Sequence, residues 1–108
     1  MVLAIVLLLV FGSAMASPPT CDDLKEEMAP CLSYFGKRVS QPTETCCSGL
    51  KFVGRYLNDQ NNRKFVCDCF RAVAKRLGRP VDDRFIGLPN KCGLSIRMPP
   101  VSLGNVVC

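Results

Sequence analysis

The stretch Thr43–Cys69, TETCCSGLKFVGRYLNDQNNRKFVCDC, sets two close pairs of cysteines, Cys46-Cys47 and Cys67-Asp68-Cys69, in two segments of helical period. In the first segment Cys46, Cys47, Leu50, Val53 and Leu57 recur on one face of a helix that starts at Thr43 or Glu44, just past Pro42. Asn58–Asn62 is a polar loop, and Asn62 is the expected N-cap of a further helix running from about Arg63 to Leu77. Gly78 closes that helix and Pro80 lies beyond it. Its apolar positions are Val66, Cys69, Phe70, Val73 and Leu77, with Arg71, Lys75 and Arg76 on the wet side. Adjacent residues on a helix diverge by about 100°, and residues two apart by about 200°. Cys46 and Cys47 therefore reach for different partners, and so do Cys67 and Cys69.

Outward from this pair the pattern continues. Thr20-Cys21-Asp22-Asp23 has the form of an N-cap with acids in the first turn, where the helix dipole favours them. Cys21, Leu24, Met28, Leu32 and Phe35 follow on one face; Pro30 should kink this helix, and Gly36 ends it. On the far side, Asp82 to Leu88 makes a short fourth helix closed by Pro89. Residues 92–108 have lost the 3.6 period and form an extended tail, held down at Cys92 and Cys108. The expected fold is all-α: a compact bundle of four short helices stapled by disulfides, with an extended C-terminal tail.

The first twenty of the 108 residues carry no charge, so all 14 basic and 9 acidic side chains, net +5, fall after Thr20. Met1–Phe11 is an unbroken apolar run of roughly 16 Å as a helix, short of a ~30 Å hydrocarbon core. Ala14-Met15-Ala16 supplies the small residues of a cleavage site, so residues 1–16 read as a signal peptide and 17–108 as one secreted domain. The competing reading of the run is a buried core helix.

The absence of His removes Ser-His-Asp and Cys-His catalysis, and no phosphate-binding or metalloprotease motif occurs. No enzyme, no cofactor and no metal are expected. Zinc would want C-x2-C pairs or histidines, and the spacing is C-x9-C-x14-CC-x19-CxC-x22-C-x15-C. Eight cysteines in a short exported chain instead make a disulfide framework, for which spacing alone leaves 105 pairings open. Each bridge contributes roughly 2–4 kcal/mol, which relieves so small a chain of the need for a filled core.

CC in the second helix and CxC in the third, flanked by single cysteines, resembles the eight-cysteine pattern of plant non-specific lipid-transfer proteins over the whole of residues 17–108. Asp68 between the CxC cysteines is similar to the polar residue of the type-1 members. The resemblance implies the pairing Cys21–Cys69, Cys31–Cys46, Cys47–Cys92 and Cys67–Cys108, and an internal hydrophobic cavity. It places Met28, Phe35, Leu50, Val53, Phe70, Val73, Leu77, Leu88, Leu94, Ile96, Met98 and Val101 on the cavity wall. The T/S-x-x-D-R/K pentapeptide of that family is represented by Gln60–Lys64, which keeps only the basic Arg63. The second, P-Y-x-I-S, is represented by Arg97–Ser102, with Met98 in place of Tyr. Arg63 is accordingly expected to hold the lipid head group through paired hydrogen bonds.

The function so implied is that of a secreted, monomeric carrier in the extracellular space and cell wall. It would take fatty acids, lysolipids or phospholipids, touching membrane surfaces transiently, with wax or cutin deposition or defence as the setting. Storage albumins and amylase/trypsin inhibitors share the cysteine pattern, so an inhibitor of a digestive hydrolase is the first alternative. A membrane-active antimicrobial protein is the second. Nucleic acid is not an expected partner, because no basic cluster is interleaved with stacking aromatics.

Overall fold

Thr20 opens the helical region as a capping box: its hydroxyl accepts from the Asp23 N–H at 3.1 Å, while its own N–H donates to Asp23 Oδ2 at 2.8 Å. The computed structural model describes residues 19–78 and 80–108; the expected signal peptide and its cleavage site lie outside the described residues. Helix α1 spans Cys21–Met28. Pro30 has no N–H to continue it, and the chain tightens into a 3-10 turn at Ala29–Cys31 before resuming as α2, Leu32–Phe35.

Helix α3 runs from Glu44 to Leu57 with Thr43 as its cap, the hydroxyl accepting from the Cys46 N–H at 3.1 Å. A Cβ at Gly49 would run into the Glu27 carbonyl oxygen, so this glycine lets α3 lie directly on the backbone of α1. Helix α4, Gln60–Leu77, begins a turn earlier than the sequence pattern predicts. Asp59, not Asn62, is its cap: Oδ1 accepts from the Asn61 N–H at 3.1 Å and Oδ2 from the Asn62 amide at 2.6 Å. A carboxylate there also faces the positive end of the helix dipole. Gly78 closes α4 in the left-handed region, with φ 65°.

The expected fourth helix is two single turns, α5 (Asp83–Ile86) and α6 (Leu88–Lys91). Pro89 does not end the first but sits in the opening turn of the second, where a missing N–H breaks no helical bond. The tail is extended and then folds into a hairpin of β1 (Val101–Ser102) and β2 (Asn105–Val106), with Val101 opposite Val106. The hairpin turn is tied back by Val81, whose N–H donates to the Gly104 carbonyl at 2.8 Å.

Four disulfides join the elements: Cys21–Cys69, Cys31–Cys46, Cys47–Cys92 and Cys67–Cys108. The neighbours Cys46 and Cys47 therefore reach different elements, the 3-10 turn after α1 and the end of α6, and Cys67 and Cys69 reach the tail and α1. Helix α3 packs against both α1 and α4, and the core gathers on it: Leu50, Val53, Leu57, Val66 and Leu88 are essentially without exposure.

Candidate functional site

A cavity of about 770 Å³ lies between α1–α2 on one side and α4 on the other. That falls within the few hundred to 1,000 Å³ of ordinary small-ligand sites. One wall is the α4 stripe Val66, Phe70, Val73 and Leu77, spaced four, three and four residues apart. The opposite wall is Leu24 and Met28 of α1 with Leu32 and Phe35 of α2. Phe85 of α5 is buried between the walls, its ring 5.9 Å from Phe35 and 5.4 Å from Phe70, and props them apart.

The charged residues of the lining are Lys25 on α1, Lys37 and Arg38 in the turn after α2, and Asp82 just before α5. Lys37 follows α2 in the left-handed region (φ 61°), and its Nζ stands 3.5 Å from Asp82 Oδ2. Asp82 Oδ1 accepts from the Arg84 N–H at 3.0 Å and so caps α5. The Arg84 guanidinium lies 4.6 Å over the Tyr34 ring and donates to the carbonyls of Tyr34 and Val39, both at 2.8 Å. It thus ties the turn after α2 to the segment that carries Asp82.

Of the thirteen residues expected at a lipid site, the structure brings Met28, Phe35, Phe70, Val73 and Leu77 together on the cavity wall. Leu50, Val53 and Leu88 are elsewhere, in the dry core without exposure, and Met98 is buried with them. Leu94, Ile96 and Val101 are half-buried against that core and do not line the cavity. Arg63 is exposed on the first turn of α4, one turn before Val66 on the same stripe, and outside the lining. The residues that sequence reasoning missed include Leu24 and Leu32, which the period does show, and Phe85, Lys37, Arg38 and Asp82, which it does not.

No cluster of three metal-ligating side chains occurs among the described residues, and Asp82 is the one carboxylate of the lining. Such a site can exclude water from an apolar guest and meet a polar end at its rim.

Residues 21–108 match the protease inhibitor/seed storage/LTP family, and the chain belongs to that family, none of whose three named roles is enzymatic. A probable non-specific lipid-transfer protein 3 of Triticum aestivum is 30% identical over 91% of this chain and 80% of its own. Non-specific lipid-transfer protein AP10 of Helianthus annuus is 34% identical over 89% of this chain and 84% of its own. Among solved structures, wheat non-specific transfer protein, crystallised with two molecules of phospholipid, superposes with a TM-score of 0.65. It shares 27% identity, over 83% of this chain and 97% of the wheat chain.

Proposed function

We propose that this protein is a lipid carrier that takes up the acyl chains of fatty acids, lysolipids or phospholipids in the cavity between α1–α2 and α4. The cavity itself carries the reading: two stapled helical walls stand apart around about 770 Å³ lined mostly by apolar side chains. The phospholipid held by the wheat relative supports it. Burying a CH2 gains roughly 0.8 kcal/mol, so a chain of about 16 carbons gains on the order of 12 kcal/mol against water. A bilayer offers a similar gain, so cargo passes both ways without an energy source. The net charge of +5 favours brief contact with anionic membrane surfaces by a monomer. The apolar run of residues 1–11 with Ala14-Met15-Ala16 supports export to the cell exterior.

Uptake is tested with a fluorescent fatty acid and the oxidised domain, which should saturate and then lose the probe to lysolipid at micromolar concentration. Absence of saturable uptake, together with a stoichiometric complex with an amylase or trypsin-like hydrolase, would replace the carrier by an inhibitor. Leakage of anionic vesicles without any transfer would replace it by a membrane-disrupting protein.

A further inference from the structure

The charges on the cavity rim are arranged unequally. Lys37, Arg38 and Asp82 stand together where the turn after α2 meets the segment after α4. Lys37 is already engaged with Asp82 at 3.5 Å. Arg38, exposed and on the lining, has no carboxylate within ion-pair distance among the described residues.

The turn that carries Arg38 is held from several directions. The Arg38 N–H donates to the Ser33 carbonyl at 2.9 Å and the Lys37 N–H to the Tyr34 carbonyl at 3.1 Å. Arg84 grips the two carbonyls that flank the turn, those of Tyr34 and Val39. A guanidinium on a braced turn loses less freedom on meeting an anion than one on a loose loop, and it presents a planar fork to carboxylate or phosphate.

We infer that Arg38, on this Arg84-braced turn, is the anion-recognising group of the cavity entrance and selects lipids that end in a carboxylate or a phosphate. Asp82 moderates the selection, because its charge neutralises Lys37 and leaves Arg38, of these two described cations, unpaired at the rim. The inference rests on the carrier reading and moves the polar end of the cargo away from Arg63. Arg38 is on the cavity lining and Arg63 is not.

The test uses the oxidised protein, a neutral alkyl-pyrene probe, and three competitors of equal chain length: a fatty alcohol, a fatty acid and a monoalkyl phosphate. Arg38→Ala should weaken at least one of the two anions about five- to tenfold and shift the alcohol by less than about twofold. Asp82→Asn keeps an oxygen to cap α5 and should tighten the same anion about two- to threefold. Loss confined to the carboxylate identifies fatty acids as the preferred cargo, and loss confined to the phosphate identifies lysolipids; either supports the assignment. An unchanged alcohol affinity also reports that the variant is folded. The assignment is overturned if Arg38→Ala weakens alcohol and anions alike or leaves all three unchanged, or if Arg63→Ala produces the selective loss instead. Failure of the unsubstituted protein to bind any competitor would overturn the carrier reading itself, and is separate from all of these.

Discussion

Leu50 and Leu77 are the same side chain on helices that touch, yet Leu50 has no exposure and Leu77 is 47% exposed. The difference follows the bridges. Both cysteines of α4 lie before its last two turns, and there Val66, Cys67 and Cys69 are buried against the rest of the fold. The last two turns, Phe70 to Leu77, carry no cysteine and stand off from α1–α2 across the cavity. Phe85 wedges that half from inside, and the hairpin, tied to Val81, flanks it from outside. A helix clamped firmly at one end can overhang a hollow at the other, since it does not depend on filling that hollow to stay in place.

Four substitutions test the contrast. The largest effect on stability should come from Leu50→Ala, about 2–5 kcal/mol lost in denaturant titration, because the site cannot collapse around the gap. Leu77→Ala should cost under about 0.5 kcal/mol in the same assay. Equal losses at the two positions would mean that the overhanging half is packed after all. Gly49→Ala should follow at about 1–3 kcal/mol, since α3 must move off the Glu27 carbonyl to admit a methyl group. A thermal midpoint equal to that of the unsubstituted protein would show that α1 and α3 slide freely, and that the solid half is not solid. A stability change of no more than about 1 kcal/mol should come from Val73→Phe, which fills the hollow rather than the core. Its signature is in uptake: at least a tenfold weaker affinity for a long acyl chain, about 1.4 kcal/mol. Uptake unaffected by the added ring would place the cargo elsewhere.

The helices were legible because caps and period are local. Thr20 and Thr43 announce themselves, as do the stripes that follow. The start of α4 was misplaced because Asp59 and Asn62 are both competent caps, and the carboxylate, facing the helix dipole, wins. Period also reports which face of a helix is turned inward, but not whether another side chain meets it there. Leu50 and Val73 therefore look alike in sequence, and only the placement of Phe85 separates the packed face from the hollow one. The rim was the least legible part. Arg84 reaches Tyr34 and Val39 across 50 and 45 positions of chain, and no local pattern announces that meeting.

The bridges also decide what happens when the chain is cut. Cys21–Cys69 spans every peptide bond from residue 21 to 69, and Cys67–Cys108 spans every one from 67 to 108. The two intervals overlap at Cys67–Cys69, so no bond between the first cysteine and the last is left uncovered. A protease that nicks the turn at Lys37, the loop at Asn58 or the hairpin at Leu103 produces two pieces that remain one molecule. Such fragments part only on reduction, and a digest that shows several bands with thiol should show a single band without it.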